Sequence, residues 1–168
     1  MILLWGHNHT DLLMKQKQAM RIIHSKHYLS HTDPLFKSAK VLKVNDMYTL
    51  SKLKFSRKYV NAQLPDYFVN IDFKRNSDNH NYDTIHKNDF ISAKPSFEYT
   101  RNLPRYSIPN LLNSLSPELN EALYSKSDHT LPNTFKKLQF NSYSDLLICP
   151  INAACWPCSV NYHGINNV

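Results

Sequence analysis

A chain of 168 residues, 42% of them hydrophobic, fits one domain of ordinary size or two small subdomains sharing a core. Its only glycines are Gly6 and Gly164, which excludes the glycine-rich phosphate loops of P-loop and dinucleotide-binding folds. Residues 1–60 hold 11 basic and 3 acidic side chains, a net +8, against 9 and 10 in residues 61–168, a net −1, so the whole excess behind the formal charge of +7 lies in the first third.

In chain order, the apolar stretch Ile2-Leu3-Leu4-Trp5 is followed by Thr10 or Asp11, either of which can cap a helix running to about Ile23. On a helical wheel Leu12, Leu13, Ala19, Met20, Ile22 and Ile23 share one half, predicting a face turned to the core, while Lys17 and Arg21 point outward. Asp33-Pro34 predicts a second, short helix through Leu35, Phe36 and Ala39, the carboxylate capping free amides and the proline standing where no donor is needed. Asn45 or Asp46 opens a third helix to about Val60. One apolar stripe of Tyr48, Phe55 and Tyr59 and another of Leu50, Leu53 and Val60 bury it on two sides and leave Lys54 and Lys58 outside. Leu64-Pro65-Asp66 ends this helical block and starts a short further turn.

Residues 74–88 are poor in apolar side chains and dense in Asn and Asp, predicting a long polar loop. Stretches 90–93 and 98–107 read as short strands, confined to edges by Pro95, Pro104 and Pro109. Pro117 and Pro132 predict two further helices, over 118–124 and 134–140. The fold class expected is mostly α with a small β element. A basic helical subdomain covers 1–70, a mixed strand and helix part 71–140, and an irregular, disordered tail 141–168.

Each candidate for chemistry has a plain structural counterpart. His7-Asn8-His9 has the letters of an HNH nuclease, but three adjacent residues cannot converge on one ion, and a polar turn is the reading kept. The run from Asp78 to Asp83 contains acids and His80 in the composition that turns use for their own hydrogen bonds. Three cysteines within ten residues are too few and too clustered for a disulfide framework. Cys155, Cys158 and His163 have the spacing of the first three ligands of a retroviral-type zinc knuckle; Val168 stands at the fourth, so Cys149 would have to complete the set from the other side. No cofactor is expected, zinc on these four residues being the one candidate. No serine or cysteine is surrounded by a recognisable base or oxyanion hole, and no carboxylate pair suggests two-metal phosphoryl transfer.

Several blocks, in order, resemble the region downstream of the polymerase in non-LTR, jockey-like retrotransposon proteins. Ile2-Leu3-Leu4-Trp5-Gly6 is similar to the family's "GIxLWG", and the run from Lys15 to Ile23 to its "LQKRAIRII" helix. His31-Thr32-Asp33-Pro34-Leu35-Phe36 resembles "HTEPLF", and the run from Leu42 to Tyr48 resembles "LKIEDLY". His80-Asn81-Tyr82-Asp83-Thr84 resembles "HNYNTR", Asn113-Ser114-Leu115-Ser116-Pro117-Glu118 resembles "WNSLPPEI", and Phe135-Lys136-Lys137-Leu138 resembles the closing "FKKKLK". Ile85, Leu112 and Ser116 stand where the family has arginine, tryptophan and its first proline. The resemblance implies a parent that is an RNA-directed DNA polymerase, a reverse transcriptase copying its RNA at a nicked target. The "YXDD" aspartates of that polymerase have no counterpart in this chain.

The expectation is a catalytically inactive C-terminal region of such a polymerase. It grips RNA or DNA without sequence preference through Lys17, Arg21, Lys54 and Lys58, phosphate contacts that position rather than read. The rival reading is a stand-alone nucleic-acid-binding or scaffolding protein domesticated from the element. Neither reading involves a membrane or a small-molecule substrate: no apolar run approaches the roughly 20 residues of a bilayer span. An intracellular place, nuclear or cytoplasmic, is expected.

Overall fold

The structure, a computed structural model, describes residues 10–143 apart from 66, 67, 69, 70, 72, 80, 81 and 126. It is mostly helical: α1 is Thr10–Ile23, α2 Asp33–Ala39, α3 Val44–Val60, α4 Pro104–Asn113, α5 Pro117–Tyr124 and α6 Thr130–Ser142. Single 3₁₀ turns occur at Asn76–Asp78 and Glu98–Asn102. The described residues fall into two compact units, one within Asn45–Lys136 and the other within His9–Val44 and Lys137–Val168.

In the second of these units Met20, Leu35, Phe36 and Tyr143 form a small core, with Phe140 packed against it. The Tyr143 ring meets Phe36 and Phe140 edge to face, at centroid separations of 6.5 and 5.8 Å, the arrangement favoured by aromatic quadrupoles. Its hydroxyl oxygen accepts the Lys43 backbone N–H at 3.1 Å, and the Lys43 ammonium lies 4.3 Å from its ring centroid. Lys43 also pairs with Asp33 at 2.8 Å. The Asp33 carboxylate therefore does not serve as the predicted cap. Asp33 is already the first residue of α2, Thr32 occupies the cap position without a side-chain hydrogen bond, and Pro34 stands in the first turn where its missing N–H costs nothing.

The buried side of α1 differs from the expected one. Met20 is buried and Leu13 half-buried, whereas Leu12, Ile22 and Ile23 are 57%, 70% and 72% exposed and Ala19 is exposed as well. The reason is polar: Gln16, on the Met20 side of the helix, donates from Nε2 to the Leu42 carbonyl at 2.9 Å and accepts the Val44 N–H at 3.0 Å through Oε1. Those two bonds satisfy backbone groups of the turn leading into α3, and they fix α1 in that rotation. Two apolar sets of similar size competed for the interior, and the set sharing a face with Gln16 is the one buried.

In the other unit Leu53, Ile108, Leu123, Leu131 and Phe135 are almost wholly removed from solvent. Phe55 meets Phe68 and Tyr59 meets Phe73 edge to face, at 5.2 and 4.7 Å, and the Tyr59 hydroxyl accepts the Phe73 N–H at 3.1 Å. No strand forms among the described residues. The expected β element reduces to one antiparallel bridge, Arg75 with Phe90, framed by Asn76 N–H to Asp89 O at 3.0 Å and Ile91 N–H to Lys74 O at 2.8 Å. Stretch 98–107, expected extended, is instead a 3₁₀ turn and the start of α4. Pro104 supplies the pre-set φ of a first helical position, and Pro109 lies buried inside the helix beside Ile108. Ser116, at the N-cap of α5, accepts the Leu119 N–H at 3.4 Å. Asp66 of the expected turn after α3, His7-Asn8-His9, His80 and the cysteine tail lie outside the described residues.

Candidate nucleic-acid interface

Helix α3 buries most of its circumference. Tyr48, Leu50, Leu53, Phe55, Ser56 and Arg57 are all buried, leaving a narrow strip on which Met47, Lys54 and Lys58 are exposed. Lys54 and Lys58 are one turn apart, so both ammonium groups reach the same stretch of solvent. Neither is in an ion pair among the described residues. The other cations of the helix are committed. Lys52 lies 4.2 Å from the Tyr48 ring centroid, and burial pushes its ammonium below the usual lysine range. Arg57 is buried, donates from Nη2 to the Ser125 carbonyl at 2.9 Å, and stands 3.4 Å from the exposed carboxylate of Asp128.

Lys17 and Arg21 belong to α1 and to the other unit, so the structure does not gather the four expected residues onto one element. Both are half-buried rather than fully outward. Arg21 donates from Nε to the Ser30 carbonyl at 2.9 Å, a bond that holds the loop after α1 and does not use its two terminal nitrogens. Exposed lysines Lys15 and Lys26 accompany them on or just beyond the same helix.

A feature without a sequence signal is a cavity of about 520 Å³ in the unit of α3 to α5. Four separate segments line it, contributing Arg75, Asn88 to Phe90, Leu112 with Asn113 and Leu115, and Asn120 with Tyr124. Arg75 is layered on the Phe90 ring at 4.8 Å and donates from Nη2 to the Tyr124 hydroxyl at 3.0 Å. Asn113 builds the wall by pairing with the main chain of Phe90: its Oδ1 accepts the Phe90 N–H and its Nδ2 donates to the Phe90 carbonyl, both at 2.8 Å. Replacing Asn113 by alanine removes both bonds at an exposed position, and an expected loss of roughly 1–2 kcal/mol follows from two hydrogen bonds of ordinary net worth. Urea unfolding of the two proteins checks it; a midpoint unchanged by the substitution would mean that solvent replaces the amide at no cost.

No group of three or more His, Cys, Asp or Glu among the described residues is arranged to hold a metal ion. The zinc candidates Cys149, Cys155, Cys158 and His163 lie outside those residues. No described helix is long and apolar enough to cross a membrane. No family model, no curated protein and no solved structure matches the chain.

Proposed function

We propose that this chain is part of the C-terminal region, downstream of the polymerase, of a non-LTR retrotransposon reverse transcriptase, and that it holds RNA or DNA without sequence preference and without catalytic residues of its own. The placement in that polymerase rests on the seven ordered sequence blocks. The binding role is carried by one observation: Lys54 and Lys58 stand together, unpaired among the described residues, on the exposed strip of a helix otherwise buried. Buried neighbours on both sides of the strip hold the backbone of α3 in place, so the two charges are presented from a rigid support rather than from a loop. Lys17 and Arg21 supply a second basic pair on α1. Such contacts neutralise phosphates and release counterions, giving affinities of roughly 10⁻⁴ to 10⁻⁶ M that weaken steeply with salt.

The test is a salt titration of the full chain on duplex DNA and on single-stranded RNA. Changing Lys54 and Lys58 to glutamine is expected to lower the slope of log K against log salt by up to about 1.8 on duplex and about 1.4 on single strands, two contacts at about 0.9 and about 0.7 each. Adding Lys17→Gln and Arg21→Gln lowers it further, with unfolding midpoints scarcely changed by the α3 pair. Binding indifferent to salt, or a slope unaltered in the four-site variant, overturns the reading. The stand-alone, domesticated alternative differs in its coding context: adjoining sequence that encodes polymerase motifs in frame supports the polymerase reading, and an unrelated promoter there overturns it.

A further inference from the structure

We infer that the cavity at the Arg75–Phe90 bridge is a subsite for one unpaired nucleobase of a single-stranded nucleic acid. The inference rests on the proposal that nucleic acid is the partner, and adds a second kind of contact to it. Size is the first argument: about 520 Å³ falls within the range of roughly 300–1,000 Å³ typical of small-ligand pockets and is ample for a base.

Charge is the second. Arg75 and Asp89 line the same cavity, one cation and one anion, so their formal charges cancel. A site built to grip phosphate would not place a carboxylate in its wall. A neutral ligand with both donors and acceptors on a flat edge suits the pair. The Asp89 Oδ2 is held at 2.7 Å by His86 Nδ1, which fixes the carboxylate and leaves Oδ1 as an acceptor. Arg75 supplies donors, and the exposed amides of Asn88 and Asn120 offer a donor and an acceptor each.

Shape is the third. Phe90 lies against the guanidinium and the Tyr124 hydroxyl accepts from it, so Arg75 is held as a plane rather than as a swinging chain. Unstacked bases in proteins are held in this way, against aromatic rings or guanidinium planes, and are then read along their hydrogen-bonding edges. Tyr124, 46% exposed, adds a ring at the cavity lip. The subsite belongs to the unit that also carries Lys54 and Lys58.

The experiment titrates the full chain with adenosine, guanosine, cytidine and uridine, followed by chemical shifts of the arginine and asparagine side chains. Nucleosides carry no phosphate, so the outcome is independent of the lysine strip. At least one nucleoside is expected to saturate with a dissociation constant in about the millimolar range or tighter, equally at 50 and 200 mM salt. The double variant Asn88→Ala and Asn120→Ala, at two exposed positions, is expected to weaken it about tenfold or more, the equivalent of about 1.4 kcal/mol. Tyr124→Phe, which frees Arg75, should weaken it with little change of fold. Absence of saturation by every nucleoside, binding unchanged in both variants, or equal competition by N-acetyl-tyrosine amide, which would make the site a peptide pocket, each overturns the assignment. Loss of the salt-dependent RNA binding in the Lys54→Gln, Lys58→Gln protein with nucleoside binding retained would separate the two sites. Salt-dependent RNA binding that the lysine changes weaken, with no nucleoside saturating the parent chain, would show that the base subsite alone is wrong.

Discussion

Replacing Phe36 by alanine is expected to remove about 3–5 kcal/mol, the cost of deleting a buried aromatic side chain and leaving a cavity that the surroundings only partly fill. The effect is at the upper end of that series because of how little else the core around Phe36 contains. Met20, Leu35 and Tyr143 are its buried partners, and Phe36 is the one among them with no exposed surface. Deleting its ring also removes the edge-to-face contact that orients Tyr143, and with it the hydroxyl that accepts the Lys43 N–H. A fall in melting temperature of roughly 6–20 °C follows for a chain of this length. Amide hydrogen exchange should show the loss of protection in α1 and α2. Phe36→Leu, which refills most of the volume, is expected to cost much less. A melting point within a degree of the parent after Phe36→Ala would mean that this cluster contributes nothing to stability.

The second large effect runs in the opposite direction. Arg57 is 6% exposed, its Nε and Nη1 find no hydrogen-bond partner among the described residues, and its ion-pair partner Asp128 has a side chain 87% exposed. A guanidinium so placed loses its hydration and recovers one good bond, to the Ser125 carbonyl, and a weak ion pair, since a carboxylate in water attracts little. Unmade donors cost about 1–3 kcal/mol each when buried. Arg57→Met keeps the length and apolar stem while removing those donors, and a gain of about 1–3 kcal/mol is expected, read as a raised urea midpoint at constant slope. Arg57→Ala, which removes the stem as well, should instead destabilise by opening a cavity beside Ser56. A methionine variant less stable than the parent by as much as the alanine variant would show that the guanidinium is fully served in solution, by ordered water or by an anion.

Much of the helical framework follows from local signals. Thr10, Asp33-Pro34, Pro117 and the apolar stripes of α3 each mark an element within a residue or two of its place, because caps, prolines and 3.6-residue periodicity are properties of the chain itself. Exposure of Lys54 and Lys58 was legible for the same reason: with two stripes buried, one strip remained. The rotation of α1 was not legible. Leu12, Ile22 and Ile23 offer as much apolar surface as Met20 and Leu13, and the choice between them was made by Gln16 reaching backbone groups 26 and 28 residues away. Helix α4 was hidden because Pro104 and Pro109 read as strand-edge markers, although a proline at a first helical position is equally at home. The cavity left no trace in the sequence, since Arg75, Asn88, Asn113 and Asn120 meet only after the long loop folds back on α4 and α5.

Sheet edges invite other chains, and the pairing of Asn113 with Phe90 bears on that hazard. In the Arg75–Phe90 bridge the hydrogen bonds to the opposite chain are made by the flanking residues, so the Phe90 N–H and carbonyl point to the open side, where another strand would dock. Asn113 occupies both groups with a side-chain amide, which has the donor and acceptor of a peptide unit but no chain to continue. The ribbon is thereby closed after a single residue pair, and extended segments of a neighbouring molecule meet a spent edge instead of a template. Under the proposed binding to a polyanion, which would bring copies close together, this asparagine leaves strand addition at Phe90 no free backbone pair to start from.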